Sequence, residues 1–150
     1  MTTGSDIRRA RFVVSYRGTA FRGAADSPGV RTVIGELRTA CEQILGQPIE
    51  FTLAGRTDAG VHALGQVISC DLPGAVDPSD LAHRLSRMCA PDISVRSGDW
   101  APDDFNARFS ASSRSYRYHV WNAPESNPLL HDLTWHVAQS LDLDLMNEAA

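Results

Sequence analysis

The sequence contains no lysine: all 14 basic residues are arginine, and all lie between Arg8 and Arg117. Every cation is therefore a planar fork suited to gripping phosphate or stacking on a base, which a lysine ammonium is not. Compositional bias produces the same pattern and weighs equally. No hydrophobic run approaches the roughly 20 residues of a membrane-spanning helix, so no membrane partner is expected. Residues 1–6 lack the charged-then-apolar pattern of a leader, which points to a cytoplasmic protein. Cysteine is scarce. Cys41, Cys70 and Cys89 form an odd set without metal spacing, each in an apolar context, and read as small core residues. His62, His83, His119, His131 and His136 are scattered, and no metal-ligand spacing appears, so no metal is expected. There is no repeat and no low-complexity tract.

What is present is globular material, 43% hydrophobic and 21% charged, enough in 150 residues for one or two small domains with a core. The charge is unevenly placed. Residues 1–117 hold 14 arginines against 13 acids, and residues 118–150 hold five acids and no arginine, so the net −4 does not exclude a nucleic-acid partner.

Local signals predict a strand over Phe12–Tyr16, reached from Ile7 and Arg8. Thr32 is a good N-cap for a helix whose apolar residues Val33, Ile34, Leu37, Cys41, Ile44 and Leu45 recur at helical spacing. Gly46 and Pro48 stop it. Strands follow at Ile49–Leu53 and Gln66–Leu72. Asp77 and Pro78 start a second helix, with Leu81, Leu85 and Met88 on its apolar face, and a further strand is expected at Ile93–Arg96, with Trp100 as its outer limit. The order β-α-β-β-α-β predicts an α+β fold, the ferredoxin-like split arrangement: an antiparallel, RRM-like sheet with two helices on one face. A connector, Ala101–Phe109, leads to a strand over Ser115–Asn122 with Tyr116, Tyr118 and Val120 on one face. A loop, a short strand at Thr134–Val137 and a helix over Leu141–Ala150 follow. The expected division is an N-terminal domain at 1–104, then a connector and the start of a second, incomplete α+β domain at 105–150.

The chemistry centres on Ala54-Gly55-Arg56-Thr57-Asp58-Ala59-Gly60-Val61-His62-Ala63-Leu64-Gly65-Gln66. One carboxylate, Asp58, stands beside one guanidinium, Arg56, on a glycine- and alanine-rich loop. Singly these are ordinary turn residues. A carboxylate on such a turn can act as a nucleophile, and a nearby cation favours its ionised form.

The run from Gly55 to Ala63 resembles, without a gap, the signature loop of the TruA family of tRNA pseudouridine synthases. Phe105-Asn106-Ala107-Arg108-Phe109 is similar to that family's RNA-contacting connector, and Tyr116-Arg117-Tyr118 to the strand whose first tyrosine lies against the target base. Tyr16, Gly18, Thr19, Phe21 and Gly23 match more loosely. The resemblance covers about residues 7 to 137. It implies isomerisation of uridine to pseudouridine in the tRNA anticodon arm. Asp58 would be the nucleophile that detaches uracil from C1′, after which the base turns and rejoins through C5. Arg56 would evict the nucleotide, fill its place and pair with Asp58. Tyr116 would pack on the base, and Phe105, Asn106, Ala107, Arg108 and Phe109 would bind RNA, with Arg108 on phosphate. The resemblance further implies a homodimer, base flipping and no cofactor.

The sequence departs from that family at Arg17, usually Asp, and at Ala24-Ala25, usually Trp-Gln. The family is also longer, and a missing half or a second chain is expected to complete the cleft. Two alternatives stay open: a non-catalytic module binding RNA or a partner, and a divergent enzyme acting on a small uridine compound.

Overall fold

A computed structural model describes residues 6–150; residues 1–5, most of the stretch read for a leader, lie outside the described residues. The chain forms two compact units, one ending at Arg114 and one running from Ser115 to Ala150.

In the first unit the strands are β1 (Ile7–Tyr16), β2 (Thr52–Leu53), β3 (Ala63–Pro73) and β4 (Ile93–Trp100), and the helices α1 (Val33–Leu45) and α2 (Pro78–Met88). The sheet runs β2-β3-β1-β4, with each neighbouring pair antiparallel. Both helix starts are fixed by side chains. Thr32 Oγ1 accepts from the Gly35 N–H, and the Asp77 carboxylate accepts from the Ser79 N–H, with Pro78 in the first turn. Gly46, left-handed at φ 70, closes α1.

Alternation along β1 decides where the core sits. Ala10, Phe12, Val14 and Tyr16 are buried on one face with Ile68, Cys70 and Leu72 of β3 and Ile93 and Val95 of β4. Val33, Leu37 and Cys41 of α1 and Leu81 and Leu85 of α2 complete this core. Each fully buried large apolar side chain contributes about 1.5–3 kcal/mol. Ser86 locks α2 to β4: its Oγ donates to the Val95 carbonyl at 2.9 Å and accepts from the Val95 N–H at 2.6 Å. On the opposite face Arg9 of β1 pairs with its cross-strand partner Asp71 at 2.8 Å.

Two elements differ from the sequence reading. β2 is only Thr52–Leu53, because Ile49 turns into the core instead of joining the ladder. The connector expected with the second segment belongs to the first unit, where Ala107 is buried and its N–H donates to the buried Ser69 Oγ of β3.

The second unit holds β5 (Val120–Asn122), β6 (Trp135–Val137) and α3 (Leu143–Ala149). β5 and β6 pair in parallel over three residues. The strand expected from Ser115 is therefore much shorter: only Val120, Trp121 and Asn122 find ladder partners, and Tyr116 and Tyr118 lie before the ladder, exposed. Tyr118 meets Trp135 edge to face. Asn122 donates to the carbonyls of Val137 and Gln139, closing the pair at its far end. Asp142 caps α3, so the helix starts at Leu143, two residues inside the expected start.

The three cysteines are free and buried. Burial pushes the Cys41 and Cys89 thiols up to about 11 from the ordinary 9.0, and raises Cys70 further. The folded state thus holds these protons more tightly than the unfolded chain. Their stabilising contribution is complete below pH 9 and is lost as pH rises through about 11. Urea unfolding at pH 8, 9.5 and 11 should show stability falling across this window, with a shallower fall in a Cys41→Ala/Cys89→Ala variant. An unchanged slope in that variant would show that other groups cause the loss.

Candidate active site

The signature loop spans the gap between β2 and β3, two antiparallel neighbours. Its tip is a turn in which the Val61 N–H donates to the Asp58 carbonyl at 3.2 Å. Gly60 sits third in that turn at φ 81, the left-handed position where a side chain would be strained. The tip is anchored from below. Gly60 N–H donates to the Phe21 carbonyl, and the Thr57 carbonyl accepts from the Ala24 N–H at 3.0 Å. Gly18 makes the closest approach: a Cβ there would stand 1.9 Å from the Val61 carbonyl oxygen. Its N–H donates to His62 Nδ1 at 3.0 Å.

The base of the loop is tied by side chains that sequence reasoning did not assign to the site. Gln66 reaches across the loop, its Nε2 donating to the Gly55 carbonyl at 2.6 Å and its Oε1 accepting from the Gly55 N–H at 3.3 Å. The same Nε2 is 3.3 Å from the Tyr16 hydroxyl, which is 2.7 Å from Thr57 Oγ1. Tyr16 is itself buried at 4% exposure. Arg114 supplies the other tie, donating through Nε and Nη2 to the Ala54 carbonyl at 2.8 and 2.6 Å and through Nη2 to the Arg108 carbonyl at 3.1 Å. One guanidinium thus joins the loop to the connector. No local sequence signal identifies such contacts, because their acceptors are backbone carbonyls up to 60 residues away.

Held this way, the loop presents Arg56 and Asp58 to solvent, both exposed, with no hydrogen bond or ion pair joining their side chains among the described residues. The expected Arg56–Asp58 pair is not formed. An exposed pair gains little, and the intervening Thr57, tied to Tyr16, leaves each neighbour to point outward.

In the connector, the Asn106 side chain accepts from the N–H groups of Arg108 and Phe109, and the Ser110 N–H donates to the Asn106 carbonyl. Ala107 is the buried anchor. Phe105 is half-buried, whereas Arg108 and Phe109 are exposed, Phe109 at 79%, with the Arg108 guanidinium 5.5 Å from the Phe109 ring centre. Tyr116 belongs to the second unit and is 78% exposed.

Residues 12–110 match the family model described as tRNA pseudouridine synthase. The chain belongs to the tRNA pseudouridine synthase family. Its similarity to individual members extends further. It is 45% identical over 146 residues to the protein named tRNA pseudouridine synthase A from Cutibacterium acnes, an alignment covering 95% of this chain and 52% of that protein. With the protein of the same name from Hyphomonas neptunium it shares 45% identity over 95% of this chain and 58% of the relative. With that from Geobacillus kaustophilus the identity is 40%, over 95% and 55%. The chain spans about half the length of the curated relatives it matches. The family match contains the whole signature loop and the connector residues Phe105–Phe109.

Asp58→Asn should leave stability within about 0.5 kcal/mol of wild type, since the exposed carboxylate holds nothing in place. A thermal melt checks this; a large drop would mark a structural carboxylate. Gly18→Ala should cost about 1–3 kcal/mol or more, because its methyl group must displace backbone rather than a flexible side chain. Chemical unfolding measures that loss, and a neutral result would mean that the Val61 turn yields freely.

Proposed function

We propose that the chain isomerises uridine to pseudouridine in tRNA, in the anticodon stem-loop, with Asp58 as nucleophile. The observation that carries this reading is an exposed carboxylate, without a side-chain partner among the described residues, at the tip of a loop tied at its base by Gln66, Tyr16 and Arg114. A nucleophile needs a free lone pair and a fixed approach, and this loop supplies both. Uridine and pseudouridine contain the same atoms, so the reaction has no net need for an oxidant, a reductant or a second substrate. The Asp58 carboxylate bonds to C1′ as the bond from C1′ to N1 breaks and uracil departs with the electron pair on N1; the base turns, C5 bonds to C1′ as the carboxylate is released, and the proton lost from C5 is balanced by one taken up at N1.

A nucleotide within a folded RNA must leave its stack before its C1′ is reached, at a cost of a few kcal/mol. Arg56 is suited to the vacated place, being exposed and free of an ion pair with Asp58. Tyr116, also exposed, is suited to stack on the extruded base, and such stacking returns about 1–3 kcal/mol. In this reading Phe105, Asn106, Arg108 and Phe109 form the RNA-binding part of the connector, while Ala107, expected to join them, is buried and seats it on Ser69. The adjacent Arg108 and Phe109 offer a cation and a π-face together, the usual chemistry for phosphate and base. The strand order β2-β3-β1-β4 and the helices packed on one face support a ferredoxin-like first domain. A cytoplasmic homodimer completes the proposal.

The test is turnover. The full chain is incubated with a tRNA transcript, and pseudouridine is detected by carbodiimide tagging. Wild type should yield product and Asp58→Ala none. Arg56→Ala should lose turnover by a larger factor than tRNA affinity. Salt-sensitive tRNA binding without any turnover would instead identify a binding module.

A further inference from the structure

The amide of Gln66 can face its partners in one orientation only. Rotated by half a turn it would set Nε2 against the Gly55 N–H and Oε1 against the Gly55 carbonyl, losing both bonds. With the amide fixed, its second Nε2 proton points at the Tyr16 oxygen. Tyr16 therefore accepts from Gln66. If it also accepted from Thr57, its own proton would be left in a buried environment without an acceptor, so Tyr16 donates to Thr57 Oγ1. The result is a directed chain, Gln66 to Tyr16 to Thr57, with a double clasp on Gly55. It grips the residues on both sides of Arg56 and the residue before Asp58. Both roots of the chain lie in the sheet, Tyr16 ending β1 and Gln66 in β3, and those strands are paired.

We propose that Tyr16 and Gln66 are positioning residues that fix the line along which the Asp58 carboxylate meets its substrate, acting through Gly55 and Thr57 without touching the reacting atoms. This rests on the reading of Asp58 as nucleophile. Near-attack geometry is sensitive to displacements of about 1 Å, which can cost about a hundredfold in rate. The network makes the loop's geometry a property of the sheet.

The experiment uses the full chain and two variants, Tyr16→Phe, which keeps the ring in the core, and Gln66→Leu, which keeps much of the side-chain bulk. Two readouts are taken. Backbone ¹⁵N relaxation should give Asp58 an order parameter near the rigid value of about 0.85 in wild type and below about 0.6 in Gln66→Leu, with Phe12 and Ile68 rigid in both. Pseudouridine formation on tRNA should show kcat lowered about 10–100-fold in each variant with KM within twofold of wild type. Unchanged order at Asp58 in Gln66→Leu overturns the proposal, as does a wild-type kcat in Tyr16→Phe or a loss confined to KM. If the wild-type chain makes no pseudouridine, the proposed function fails by itself. In that case the relaxation measurement alone decides whether the network holds the carboxylate.

Discussion

The site depends on a side-chain amide imitating a strand. Beyond β2 the backbone leaves the ladder, and Gln66 meets both polar groups of Gly55 much as a neighbouring strand would. A loop whose backbone groups are satisfied by its own frame does not need to collapse onto solvent or onto its own charged side chains. Arg56 and Asp58 therefore remain outward without a mutual bond to hold them. Burial supplies the rest: Tyr16 is at once the last core residue of β1 and a member of the polar network. The apolar ring and the hydroxyl of one residue thus couple the stability of the sheet to the shape of the loop.

This arrangement separates tasks by face and by depth. The helix-covered face of the sheet carries the burial energy, from Phe12, Leu37, Ile68, Leu72, Leu81 and Leu85. The opposite face carries polar ties, with Ser69 receiving the connector through Ala107 and Arg9 pairing with Asp71. The connector's exposed residues, Arg108 and Phe109, follow the one buried residue that seats it.

Much of this was legible in the sequence, for identifiable reasons. Thr32, Gly46, Asp77 and Pro78 state the helix limits through bonds to residues within a few positions, so a local reading finds them. The alternation in β1 and β3 names the core face directly. The loop string singles out Arg56 and Asp58, and the structure places both exposed. What was not legible depends on distant partners. Tyr116 and Tyr118 alternate as strand residues do, but a ladder needs a neighbour, and β6 offers one for only three positions. The short β2 follows from Ile49 being taken into the core. The roles of Gln66, Tyr16 and Arg114 arise from contacts across 6 to 60 residues, set by the folded chain and not by local sequence pattern.

Arg114 has one more effect. Its hydrogen bonds go to carbonyl oxygens, which carry partial charge only, so the full positive charge of the guanidinium is not cancelled where it sits. Screening at physiological ionic strength extends over about 8 Å, so this charge acts on groups within that range of the joint between loop and connector. The residue that fastens the two segments thus leaves a full positive charge at their joint, where a neutral tie would leave none.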